Sequence, residues 1–142
     1  MFDAVIYELR IGNYYYIGSS KNMKTRQSQY KKNFGLVAEN YDIITKDVKD
    51  FENVKEVKKA WITWRRDNAI NVLNSKLACA FICELVYEIK EIDWISCEDL
   101  IEQRKTEQEH FAEYRERLGA ENMLNGQDII CSYELYLSNG RF

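Results

Sequence analysis

A chain of 142 residues, 46% apolar and 30% charged with a net charge of −3, has the makeup of an ordinary soluble domain able to bury a core. No stretch approaches the ~20 consecutive apolar residues that cross a bilayer. The opening Met1-Phe2-Asp3 lacks the basic head and apolar run of an export signal, so a cytoplasmic protein with no membrane partner is expected. The charge is uneven: residues 1–79 carry 14 Lys and Arg against 9 Asp and Glu, and residues 80–142 carry 6 against 14. Phosphate binding needs only local positive charge, so an acidic total leaves a nucleic-acid partner open.

Residues 3–9 and 14–18 are rich in β-branched and aromatic side chains and predict two strands. Gly12-Asn13 between them is a Gly-first pair suited to a type II′ hairpin turn. That register sets Ile11 opposite Tyr14, Leu9 opposite Tyr16 and Tyr7 opposite Gly18. Tyr7 and Tyr16 then share a face as diagonal neighbours, and the glycine leaves room over the Tyr7 ring. Ser19 or Ser20 is expected to cap a helix running to about Phe34, with Met23, Arg26, Tyr30 and Phe34 along one face.

Residues 35–53 read as loop with a little helix. Val57, Trp61, Trp64 and Asn68 recur at helical spacing and predict an amphipathic helix over about 54–73. The apolar run 77–89 predicts a buried central strand. Residues 96–99 (Ser-Cys-Glu-Asp) read as a capping box opening a long helix to about Leu118, which Gly119 stops. Ile129, Ile130 and residues 133–137 fit further strand. With no repeat or linker, residues 1–142 are expected to form one α/β domain of the α+β type. It would hold a small, mainly antiparallel three-stranded sheet flanked by helices, with an insertion around 35–75.

Several side chains break the apolar pattern. Glu107 shares a helical stripe with Leu100, Phe111, Tyr114 and Leu118, where a carboxylate is costly unless compensated. It is either an interface glutamate paired with Arg104 or a metal ligand or general base. Arg26 poses the same choice between a structural ion pair and a site. The cations Lys21, Lys24, Lys31 and Lys32, and later Lys55, Lys58, Lys59, Arg65 and Arg66, form either a phosphate-binding surface or solvated helix faces. Cys79 and Cys83 lie four apart, with Cys97, Cys131 and the single His110 remote. That spacing fits free buried thiols better than zinc.

Val5-Ile6-Tyr7, Tyr16-Ile17-Gly18 and Arg26, eight residues beyond the glycine, resemble the GIY-YIG nuclease family. Residues 107–111 (Glu-Gln-Glu-His-Phe) look like the family's acid-bearing helix, and Met123-Leu124-Asn125 resembles its later asparagine. The likeness is close over residues 3–34 and looser over about 77–126. Val5 stands where the first motif glycine would be, and Tyr30 where many members carry histidine. The resemblance implies a metal-dependent DNA endonuclease leaving 5′-phosphate and 3′-hydroxyl ends. Mg²⁺, with Mn²⁺ as a substitute, would be held by Glu107 and otherwise by water and phosphate.

By the same likeness Arg26 clamps the phosphate, Tyr7 is the general base and Tyr16 orients water or phosphate. Tyr30 supports that network, and Asn125 positions the acid. Lys21, Lys24, Lys31 and Lys32 are the expected DNA-backbone contacts. A tyrosine pKa near ~10 is high for a base at neutral pH, so Tyr7 would need the cation and Arg26 close by. The competing readings are a non-catalytic nucleic-acid-binding module on the same scaffold, and a structural or regulatory protein whose basic half merely solvates it.

Overall fold

The computed structural model describes residues 1–68 and 73–125. Its chain order is β1 (Phe2–Ile11), β2 (Tyr14–Ser20), α1 (Met23–Glu39), α2 (Tyr41–Thr45), α3 (Val54–Asn68), α4 (Ser75–Glu84), β3 (Tyr87–Cys97) and α5 (Leu100–Leu118), then a 3-10 turn at Ala120–Asn122. The three strands form an antiparallel sheet in the order β2-β1-β3, giving an α+β fold. The first hairpin has the expected register, with Ile11 opposite Tyr14, Leu9 opposite Tyr16 and Tyr7 opposite Gly18. Gly12 takes the positive φ, +60°, that a Gly-first turn requires.

Alternation along β1 sends its side chains to two separate cores. Val5, Tyr7, Leu9 and Ile11 pack with Met23, Tyr30 and Phe34 of α1, Val57 and Trp61 of α3, and Phe81 of α4. Ile6, with Ile17 of β2, packs against Phe111 and Tyr114 of α5 on the opposite face. The sheet is therefore covered on both sides, with β1 as the central strand.

Several expectations need correction. The run 77–89 is not a central strand: Ser75–Glu84 is helix α4, and β3 starts only at Tyr87, on the sheet edge. Asn74 caps α4 by accepting the Leu77 N–H at 2.9 Å, and Leu85 ends it in the left-handed region at φ 57°. Leu77, Ala78, Ala80, Phe81 and Ile82 are all buried. A short helix sunk in the core on several sides loses its polar face and reads like a buried strand.

The long helix opens at Asp99 and not at Ser96. Asp99 Oδ1 accepts the Glu102 N–H, and the Glu102 carboxylate accepts the Glu98 N–H, both at 2.9 Å. Ser96 is claimed by β3, where it pairs with Asp3 across the sheet and donates its hydroxyl to Asp3 Oδ1. Likewise α1 is capped by Asn22, whose Oδ1 accepts the Thr25 N–H, while Ser20 receives the Asn22 N–H. Helix α1 continues through Gly35 to Glu39, so the region expected to be mostly loop holds its last turn and α2. The predicted end of the 54–73 helix at 69–72, the strands beyond 125, Cys131 and part of the C-terminal resemblance lie outside the described residues. Of the described cysteines all are free thiols, but only Cys97 is buried; Cys83 is exposed on α4.

Candidate active site

The outer edge of β2 lies between two helices, α1 on one face of the sheet and α5 on the other. A cleft of about 430 Å³ opens there, with Tyr16, Gly18, Ser19, Arg26, Gln103 and Glu107 on its wall. Residues from β2, α1 and the distant α5 thus meet at one concave surface. Tyr7 sits just behind it. A Cβ added to Gly18 would stand 2.5 Å from both Cζ and Oη of Tyr7, so the bare glycine brings the cleft wall directly onto the Tyr7 hydroxyl.

Tyr7 is fully buried. Its hydroxyl shares a 2.8 Å hydrogen bond with Tyr30 Oη and accepts one from Arg26 Nη1 at 3.0 Å. Burial pushes the Tyr7 phenol far above its ordinary value, reinforced by Tyr30 and opposed by Arg26. Tyr16 is pushed up as well, first by burial and then by Tyr7 and Glu107. Tyr30 moves the same way, again chiefly through burial. Burial works against the Arg26 charge, but the surrounding phenol oxygens more than offset it and hold the guanidinium firmly protonated. The site therefore contains three neutral phenols around one fixed cation. Arg26 has five N–H donors, and its lining of the cleft turns that fork toward any bound anion.

Glu107 is 5% exposed. Its carboxyl is raised above the usual range because burial outweighs the hydrogen bond from Ser19 and the charges of Arg104 and Arg26. Arg104 Nη1 lies 3.6 Å from Glu107 Oε2, an ion-pair distance too long for a good hydrogen bond. Both readings of this residue thus find support in the geometry: it pairs with Arg104, and it lines the cleft. Among the described residues no three His, Cys, Asp or Glu side chains gather as metal ligands. One buried carboxylate beside an open cleft suits a hard cation that keeps much of its water shell, and does not suit a structural zinc. Mg²⁺ or Mn²⁺ fits this donor set.

The remaining expected residues separate. Asn125 does not reach the cleft through its side chain. It spends both ends of its amide on the Ile17 backbone, accepting the N–H at 3.1 Å and donating to the carbonyl at 2.9 Å. It thereby fixes β2, and with it Tyr16 and Gly18. Lys21 lines the cleft and lies over the Phe2 ring. Lys24 is exposed near the start of α1. Lys31 and Lys32 line a different groove, on the outer side of α1 with Ser28 and Glu39. His110 hydrogen-bonds Asp93 at 2.9 Å and ties α5 to β3.

The chain matches no family model, no curated protein and no solved structure. Two cleft residues had no place in the sequence-derived site. Gln103 and Ser19 are joined by a 2.8 Å hydrogen bond from Nε2 to Oγ. The signal for Gln103 was its position four residues before Glu107, on the inward stripe of α5; Leu100, expected to begin that stripe, is instead 42% exposed. Ser19 resembled a helix cap, which concealed its role on β2.

Proposed function

We propose that this chain is a divalent-cation-dependent DNA endonuclease of the GIY-YIG kind, hydrolysing phosphodiester bonds to leave 5′-phosphate and 3′-hydroxyl ends. The observation that carries the reading is the meeting of Tyr16, Arg26 and Glu107 on one cleft, with the Tyr7 hydroxyl against its Gly18 wall. These are the side chains that the motif resemblance singles out. A cation held at Glu107 would act as a Lewis acid on a phosphate oxygen and add the positive charge that a phenolate needs.

The chain's own groups divide the rest of the work. Arg26 donates one N–H to Tyr7 and offers the other donors of its planar fork to phosphate oxygens as negative charge builds on them. Tyr7, once ionised with its own proton released to solvent, would take the proton from the attacking water at Oη. Arg26, hydrogen-bonded to that oxygen, favours its ionised form against the effect of burial. Tyr30, at 2.8 Å, holds the Tyr7 hydroxyl in position. Tyr16, a neutral phenol on the cleft, donates a hydrogen bond that orients water or phosphate. Lys21, beside the cleft, attracts the DNA backbone.

One observation favours the second reading, a nucleic-acid-binding module without catalysis: the Arg104 guanidinium already partners the Glu107 carboxylate. The experiment that separates the two is incubation with plasmid, branched and single-stranded DNA, with Mg²⁺, with Mn²⁺ and with chelator. Cleavage that needs the metal and disappears in Glu107→Ala, with DNA binding retained, supports the nuclease. Binding without cleavage under every metal condition supports the module.

A further inference from the structure

Gln103 is 5% exposed and lies on the cleft wall, yet its Oε1 has no hydrogen-bond partner among the described residues. The orientation of this amide follows from its neighbours. Ser19 gives its hydroxyl hydrogen to the Glu107 carboxylate, which as an anion can only accept. Ser19 Oγ must then receive its hydrogen bond from Gln103, and only the Nε2 end can donate it. Turning the amide over would set its oxygen against an oxygen with no hydrogen to give, so Oε1 is the free end. An acceptor buried in this way carries a desolvation penalty that a leucine or methionine here would not. The other buried unpartnered atom, Trp61 Nε1, is a donor in the apolar core and has nothing to offer a cation.

Gln103 and Glu107 are four residues apart on α5, so their side chains lie on the same face in consecutive turns. We propose that Gln103 supplies the second protein oxygen of the cation site, its Oε1 turned to the ion that Glu107 binds. This rests on the reading of Glu107 as the cation's carboxylate. An amide oxygen is a hard donor of the kind Mg²⁺, Mn²⁺ and Ca²⁺ accept. Being neutral, it adds a ligand without setting a second negative charge beside a carboxylate that burial already disfavours. The same side chain thus faces two ways: Nε2 braces Glu107 through Ser19, and Oε1 addresses the ion.

Those two functions separate experimentally, because Gln103→Glu keeps an oxygen and loses the donor, whereas Gln103→Met loses both. The probe is Tb³⁺ alone, without DNA, followed by luminescence sensitised through tyrosine and displaced by Mn²⁺, on variants whose melting curves show them folded. Wild type should bind and Glu107→Gln should not. Gln103→Met should weaken binding by roughly tenfold or more, and Gln103→Glu should stay within about threefold of wild type or bind more tightly. Equal weakening in Gln103→Met and Gln103→Glu reduces the residue to a brace and overturns the proposal. Wild-type affinity in Gln103→Met, with binding still lost in Glu107→Gln, also overturns it while leaving the Glu107 site intact. Equal binding by wild type and Glu107→Gln removes the carboxylate site and this inference together. Should Gln103→Met not fold, Gln103→Glu decides alone, since a tenfold loss there leaves no role for the oxygen.

Discussion

Gly18→Ala tests the relation between the cleft wall and Tyr7, and Gly35→Ala provides its control. The new methyl at position 18 would lie 2.5 Å from two atoms of the Tyr7 ring system. Ordinary carbon contacts begin near ~3.5 Å, so the ring must retreat by roughly 1 Å. Tyr7 is rigid, fully buried and held at its hydroxyl by Tyr30 and Arg26, so no flexible end can yield. Overpacking of this kind costs about 1–3 kcal/mol, which in a domain of this size lowers Tm by roughly 3–12 °C. A 1 Å displacement of Tyr7 Oη should also slow single-turnover cleavage by about a hundredfold. At Gly35, inside α1, an added methyl meets nothing within 4 Å. Relief of glycine's backbone entropy there should stabilise the helix by about 0.5–1 kcal/mol. Thermal unfolding by circular dichroism reads both changes, and the two alanines should move Tm in opposite directions. A Gly18→Ala variant with wild-type Tm and wild-type rate would refute the placement of Tyr7 against the cleft.

Glu107 carries a pH signature. Its folded-state pKa is raised, so its contribution to stability is full below the unfolded value and is lost as pH climbs through the folded one. Glu107→Gln should therefore abolish cleavage yet melt higher than wild type at pH 7–8, with the gap closing below about pH 4.5; a gap independent of pH would mean that burial does not dominate. Tyr7→Phe leaves Tyr30 and Arg26 without a buried partner and should cost about 1–3 kcal/mol in urea unfolding. It should also lose on the order of a thousandfold in single-turnover rate. Tyr16→Phe should lose less, and if neither substitution slows cleavage beyond about threefold, Tyr7 is not the base. On α3, Lys55 and Lys59 are exposed alongside Ile62. Replacing both lysines by Gln should flatten the dependence of log K on log salt for DNA binding by up to about 2 units if both touch phosphates, and an unchanged slope makes that face a solvated one.

What was legible in the sequence was whatever local pattern controls. The Gly12 turn and β-rich flanks determined the hairpin register, and hence the shared face of Tyr7 and Tyr16. The lone charges on the apolar stripes of α1 and α5 marked Arg26 and Glu107, which do meet at one cleft. Elsewhere, tertiary context decided the outcome. Helix α4 packs against α1, α3 and β1, so its outer face shrinks to Lys76, Cys79, Cys83 and Glu84, too narrow a break in a short apolar run to distinguish it from strand. Edge strand β3 is half-exposed and interrupted by a register shift opposite Ile6 and Tyr7, which blurs its alternation. Both 96–99 and 99–102 offer a capping pattern, and only pairing of Ser96 with Asp3 selects the second. Gln103 was legible only as a position on the Glu107 stripe, because an unpartnered oxygen is a property of its neighbours and not of its residue type.

The double hydrogen bond between Asn125 and Ile17 bears on when the site comes into being. A ribosome releases the β1–β2 hairpin and Arg26 early, while Gln103 and Glu107 emerge much later. The segment that closes the β2 edge follows last, with Leu124 donating its N–H to the Tyr15 carbonyl and Asn125 clasping Ile17. Until then that edge is bare backbone, open to pairing with another chain. Asn125→Ala should speed hydrogen exchange at the Ile17 amide and raise the tendency to aggregate during refolding; unchanged exchange there would show that the clasp contributes nothing. During synthesis, Tyr7, Tyr16 and Arg26 thus precede Gln103 and Glu107 by more than half of the chain, and the cleft is complete only once α5 has packed against the hairpin.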